Sequence, residues 1–137
     1  MTDTRTLVIE REIPHPAEKV WRALSQGHLV AEWLLPNDFR PDVGHRFTLR
    51  APPMPQWDGV VHCEVLSVEA LKHLSYSWTV GAMETVVTFT LTPTAQGVHL
   101  RMEQSGFRPD QDANYKGANY GWQRFLANLE KLVAGLE

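Results

Sequence analysis

Six histidines (His15, His28, His45, His62, His73, His99) and one cysteine, Cys63, are the side chains with which this chain could hold a metal or attack a substrate. Their spacing supports neither. No two histidines stand four residues apart, as a shared helix face would need, and His62 and Cys63 are adjacent in a strand-like run, which sends them to opposite faces. No Gly-x-Ser-x-Gly elbow and no acid–base–nucleophile set can be read, so Cys63 reads as a buried, inert thiol. The stretch Gly117 to Gly121 (Gly-Ala-Asn-Tyr-Gly) lacks the Lys-Ser/Thr ending of a phosphate loop; its glycines suit a close approach of backbone to backbone. No metal or other cofactor is expected. General acid–base chemistry has one candidate pair, His62 and Glu64, which share a strand parity. Facing a cavity, they would sit against apolar walls that tune their pKa values. Facing water, they would be ordinary surface groups. Val60 to Val68 is apolar on both parities, so periodicity does not choose its face; the rarity of unpaired buried charge favours Val61, Cys63 and Val65 inward.

The aromatic set offers a different chemistry, that of binding. Five tryptophans (Trp21, Trp33, Trp57, Trp78, Trp122) are scattered along 137 residues, and tryptophan favours sites with an apolar body and a polar edge. Trp33, Trp57, Trp78, Phe107 and Trp122 are placed to converge on one cavity mouth, with Val87, Phe89, Met102 and Phe125 as walls. Met54, Met83 and Met102 add adaptable apolar surface. The indole N–H groups and the Tyr76 hydroxyl are available to orient polar atoms of a ligand. A concave apolar cleft with a few polar groups is the default form of a small-molecule site.

These residues need elements to position them, and the hydrophobic pattern supplies an order. Thr6 to Ile13 alternates as a strand, at a sheet edge. His15-Pro16-Ala17-Glu18 opens a helix with Pro and an acidic residue in its first turn, Gly27 is its expected stop, and a second short helix runs from His28 to Leu35, ending at Pro36. Strands follow at Arg46–Arg50, Val60–Val68, His73–Thr79, Glu84–Thr92 and Val98–Ser105. Between the first two of these lies Ala51 to Gly59, whose three prolines exclude a central strand; its Trp57 makes it an apolar lid. Parity turns Leu74, Tyr76, Trp78, Val87, Phe89, Leu91, Val98, Leu100 and Met102 inward. A long helix beginning near Asn114 closes the chain. Its stripe Trp122, Phe125, Leu126, Leu129, Leu132, Val133 and Leu136 follows the helical period, with Gln123, Arg124, Asn128 and Lys131 opposite. Eighteen residues from Tyr120 reach roughly 27 Å, the width of a small sheet.

Composition narrows the partners. A chain of 137 residues with a net charge of −3 and no Lys/Arg cluster fits one domain without a nucleic-acid footprint. No run approaches the roughly 18 apolar residues of a membrane span, and the polar start from Met1 to Arg11 has no apolar run like that of a signal peptide. A single cysteine excludes an internal disulfide and suits a reducing compartment, so a cytoplasmic location is expected.

The segments Glu10-Arg11-Glu12-Ile13-Pro14-His15-Pro16-Ala17-Glu18-Lys19-Val20-Trp21-Arg22-Ala23-Leu24 and His28-Leu29-Val30-Ala31-Glu32-Trp33-Leu34 carry a resemblance. So do Gly59-Val60-Val61, Tyr76-Ser77-Trp78, Gln104-Ser105-Gly106-Phe107 and Gly121-Trp122. The chain resembles the SRPBCC superfamily of START-like and birch-pollen-allergen-like helix-grip proteins, and within it the activator of heat-shock-protein-90 ATPase homologue-1-like family. The resemblance implies an α+β helix-grip fold: a curved antiparallel six-stranded sheet wrapped around a long C-terminal helix, with two short helices after the first strand and a hydrophobic cavity between. It implies binding of a small hydrophobic ligand, aromatic, polyketide- or lipid-like, and as an alternative a cyclase or dehydratase on a polyketide-like substrate. A protein-interaction module is the third class. A chaperone partner is not expected of a single such domain, and a monomer or weak homodimer is.

Overall fold

The computed structural model describes residues 4–55 and 57–136. Strand β1 (Arg5–Ile13) leads into helices α1 (Ala17–Ser25) and α2 (Gly27–Trp33). Strands β2 (Arg46–Arg50), β3 (Val60–Glu69), β4 (His73–Val80), β5 (Met83–Pro93) and β6 (Val98–Phe107) follow. A short 3-10 turn at Pro109–Gln111 runs into helix α3 (Asp112–Gly135). The strands form one antiparallel sheet in the order β1-β6-β5-β4-β3-β2. This is the expected α+β helix-grip architecture, and β1 does lie at an edge.

Alternation explains why these segments are strands. In β5 the residues Val87, Phe89 and Leu91 are buried while Thr88, Thr90 and Thr92 face outward. In β6 the same holds for Val98, Leu100 and Met102 against His99, Arg101 and Glu103. The outer face of the β1–β6 pair carries charge instead of apolar surface. Glu10 and Glu12 of β1 pair with His99 and Arg101 of β6, which makes that side poor ground for burial.

Most boundaries shift by one or two residues from those the pattern predicts, and three of the shifts have a visible cause. Gly27 does not stop α1 but begins α2; the break falls at Gln26, whose backbone is extended (φ −104°, ψ 118°). A glycine serves there because a Cβ would lie 3.0 Å from both Asn37 Oδ1 and the Phe39 carbonyl oxygen, tighter than a side chain tolerates. Helix α3 starts at Asp112, two residues earlier than expected, and runs through Gly117 and Gly121. Tyr115 anchors that first turn by an edge-on contact with Phe107 at 5.4 Å, and such packing outweighs the weak helix preference of glycine. At the other end Leu136 is not in the helix but caps it, its N–H donating to the Val133 carbonyl at 3.1 Å.

The grip is uneven. Helix α3 lies close to β1, β6, α1 and α2, and its buried residues are Trp122, Leu126, Leu129 and Val133, with Phe125, Leu132 and Leu136 half-buried. The inner face at the β2–β3 end of the sheet is covered differently. There the connection 34–45 folds Phe39 inward, and the proline-rich connection 51–59 brings in Trp57.

Candidate ligand site

The inward parity of β3 is Val61, Cys63 and Val65, all buried, so His62 and Glu64 face outward. Glu64 pairs with Arg46 of β2 at 3.3 Å on the surface. The acid–base pair that a cavity-facing parity would have made is therefore absent from the interior. Among the described residues no Asp, Glu, His, Lys or Arg is buried; the buried ionisable groups are Cys63 and Tyr76. Burial pushes the Cys63 thiol up to about 12, consistent with an inert thiol. Burial also raises the Tyr76 phenol well above its ordinary value.

Between sheet and helix the aromatic residues form one connected cluster. Phe89 of β5 is its centre, meeting Trp33 of α2 at 6.1 Å, Tyr76 of β4 at 6.0 Å and Trp122 of α3 at 5.9 Å. Trp122 extends the cluster to Trp78 at 5.3 Å and to Phe125 at 5.7 Å. Val87 stands opposite both Tyr76 and Gln104, and Met102 opposite Phe89, in the strand register. Most of these contacts are edge-on or tilted, the arrangement that the ring quadrupoles favour.

Two anticipated members pack on the core outside this network of ring contacts. Phe107 is fully buried, but its ring partner is Tyr115, over which the Arg5 guanidinium lies at 3.9 Å. Trp57 is half-buried against the core and has no aromatic partner among the described residues. Its loop is a tight turn in which Met54 and Trp57 exchange backbone hydrogen bonds of 2.7 and 3.0 Å. Gly59 lets the chain close there, with φ +84° and room for no Cβ, which would stand 2.2 Å from the Ala51 carbonyl oxygen.

Phe39 and Phe47 also belong to the cluster; the alternation of Arg46–Arg50 turns Phe47 inward, whereas no pattern marks Phe39. They lie 5.0 Å apart and reach Tyr76 at 6.0 and 5.2 Å. Phe39 sits in a loop, where no periodicity marks it. The signal available was Asn37-Asp38, a pair prone to bond its own backbone. Asn37 donates to the Gly27 and Leu35 carbonyls and accepts from the Phe39 N–H. The Asp38 carboxylate accepts from the Thr48 N–H at 2.7 Å, which holds its pKa below the ordinary value. His45 bonds the Asp38 carbonyl oxygen at 2.9 Å and stacks on Phe47. These bonds set Phe39 over Tyr76.

Most of the cluster's polar atoms are occupied. The Trp122 N–H donates to Gln104 Oε1 at 2.8 Å, and Gln104 Nε2 donates to the Thr85 hydroxyl at 2.9 Å. That hydroxyl in turn donates to the Trp78 carbonyl at 2.8 Å. The Trp33 N–H donates to the Ala23 carbonyl at 2.8 Å and the Trp57 N–H to the Val60 carbonyl at 3.1 Å. These three indoles are thus committed to the fold and do not wait for a ligand. The Tyr76 hydroxyl and the Trp78 N–H have no hydrogen-bond partner among the described residues.

The sequence pattern of the family described as Activator of Hsp90 ATPase homolog 1-like protein matches residues 14–134. The chain belongs to this family. Among solved structures, protein MLL2253 from Mesorhizobium loti is similar at 55% identity and a TM-score of 0.90, covering 97% of this chain and 99% of its own. Protein BH1534 from Bacillus halodurans is similar at 26% identity and a TM-score of 0.82, with the same coverage. DynU16, a protein in the dynemicin biosynthetic locus, shares the fold at 24% identity and a TM-score of 0.74, over 97% of this chain and 48% of its own. No curated protein matches the sequence. No helix among the described residues is long and apolar enough to cross a membrane.

Proposed function

We propose that this domain binds a small, largely apolar, aromatic molecule against the inner face of the sheet, at the end where β2, β3 and β4 lie. The observation that carries this reading is the connected aromatic cluster Trp33–Phe89–Tyr76–Phe47–Phe39, whose Phe47 and Tyr76 meet Phe39 of the connection 34–45, while α3 reaches the cluster through Trp122 on Phe89. Side chains hanging from a loop are displaced at lower cost than a packed helix, because loops open locally at a fraction of the global unfolding free energy. Trp57, Trp78, Val87, Met102, Trp122 and Phe125 complete the walls, and Phe107 supports the start of α3 at their margin. The interior holds no carboxylate or imidazole among the described residues, which favours binding over an acid–base cyclase.

Titration with a library of small aromatic molecules, followed by backbone amide NMR shifts, tests the reading. The expected shifts fall on residues 34–45, on Tyr76 and Phe89, and around Trp57. The outer face provides the opposing outcome: an open depression of about 640 Å³ there is lined by Ser67, Glu69, His73, Ser75, Thr88 and Thr90, among others. Shifts confined to that depression would overturn the proposal.

A further inference from the structure

Tyr76 and Trp78 are the two buried members of the cluster whose polar atom has no partner among the described residues, and of the two only Tyr76 is set among three phenylalanines. The Tyr76 ring is 3% exposed, enclosed by Phe39, Phe47 and Phe89 at centroid distances of 5.2 to 6.0 Å. Its hydroxyl makes no hydrogen bond with any described residue. Yet among the described residues every side-chain nitrogen or oxygen that is wholly shut off from solvent has a partner. The Tyr76 oxygen therefore keeps a little surface of its own, although its ring is packed among three aromatic neighbours. A hydroxyl in apolar surroundings without a partner destabilises the fold, and phenylalanine would fill the same space without that cost. Its neighbours on β4 and β3 offer nothing to it. The inward residues there are Leu74, Trp78, Cys63 and Val65, and the Cys63 thiol is directed to the Val61 carbonyl.

We infer that the Tyr76 hydroxyl is the hydrogen-bond donor that selects the ligand, and that the ligand is a flat aromatic molecule carrying a carbonyl oxygen as acceptor. The three flanking phenylalanines take the aromatic frame, edge-on or tilted, and the phenol donates to the carbonyl at its end. A thiol with its pKa pushed up to about 12 stays neutral beside it, so no negative charge competes for the donated proton. An anionic carboxylate is disfavoured as the acceptor, since no described Lys, Arg or His is buried near Tyr76 to balance it. This inference rests on the binding reading above and sharpens it to a ligand class.

A matched pair of probes separates the two: 2-acetylnaphthalene, an aryl ketone, and 2-ethylnaphthalene, which keeps its shape without the oxygen. Affinities for the wild-type protein and for Tyr76→Phe come from tryptophan fluorescence and amide NMR, and the ketone's infrared band reports its hydrogen bond. The expected result is that wild type prefers the ketone by roughly threefold to tenfold, the range of one net hydrogen bond. The carbonyl band should move to lower frequency on binding. Both effects should vanish in Tyr76→Phe, with 2-ethylnaphthalene bound as before or more tightly. The variant should melt at the same temperature or higher, since it loses a hydroxyl with no partner. Equal affinity of the two probes for wild type, which needs no variant, overturns the inference and leaves the binding reading standing. Binding of neither probe overturns both. A melting temperature well below wild type would show the hydroxyl held by the protein itself, and would also overturn the inference.

Discussion

The two ends of the sheet's inner face are built from the same kinds of residue and finished in opposite ways. At the β1–β6 end a helix covers the strands, and the polar atoms it brings are all spoken for: Trp122, Gln104 and Thr85 form a chain that ends on the Trp78 carbonyl. At the β2–β4 end a loop covers the strands, and the polar atom beneath it, the Tyr76 hydroxyl, has no partner among the described residues. A fully satisfied buried network specifies one arrangement and resists rearrangement. A donor left open under a loop does the reverse, because whatever reaches it gains a hydrogen bond the fold does not already hold. The first end is therefore scaffold and the second is the site.

The largest effect should come from truncating the scaffold. Leu129 is fully buried on α3, and Leu129→Ala should cost about 2–5 kcal/mol in a urea melt. Lys131→Ala, on the exposed face, should cost almost nothing. Equal costs would mean that α3 is rotated relative to the sheet.

Gln104→Leu strands the Trp122 N–H, and also removes the donor to Thr85. It should destabilise by roughly 1–3 kcal/mol, the penalty for an unsatisfied buried group. Adding Trp122→Phe should recover part of that loss, because the stranded donor disappears with it. Strict additivity in the double-mutant cycle would break the claim that the network acts as a unit.

At the site end, effects should appear on binding and hardly on stability. Trp57→Ala should weaken an aromatic ligand by roughly 1–3 kcal/mol, as for an aromatic anchor at an interface, with the unfolding midpoint little changed. Global unfolding of the variant would place Trp57 in the scaffold instead.

The roof itself can be loosened by pH. The Thr48 N–H bond keeps the Asp38 carboxyl below the ordinary aspartate value of 3.8. Its contribution is therefore present above that value and lost as pH falls through the lower pKa of the folded state. Protection factors for amide exchange in residues 34–45 should fall at acid pH ahead of those in the sheet, and Asp38→Asn should reproduce the change at neutral pH. A uniform fall across sheet and loop would show that the roof has no independent opening.

The smallest effect is expected at Glu64→Gln. That carboxylate faces outward in a surface pair, so ligand affinity should stay within about threefold, under 1 kcal/mol. A larger loss would draw the outer face into the function.

How much of this was legible beforehand follows from which interactions are local. Strand alternation and the three-and-four stripe of α3 are dictated by neighbours in the chain, and they sufficed for the order of elements and the inward set from Leu74 to Met102; the helix-grip arrangement was what the family resemblance implied. The gathering of Trp33, Tyr76, Trp78, Phe89, Trp122 and Phe125 between sheet and helix likewise lies in reach of parity. Tertiary structure alone decided the rest. The choice between the two parities of β3 depends on which face the helix covers, since both are largely apolar in sequence. Phe39 enters through Asn37 and Asp38, whose partners lie up to ten residues away. The fate of each polar atom is a matter of three-dimensional neighbours: Trp122 and Gln104 are eighteen residues apart and satisfied, whereas Tyr76, equally polar and equally buried, is not. Hydrophobic pattern tells a residue which way to face, but a hydrogen bond needs a partner within about 3 Å, and only the folded chain determines who that partner is.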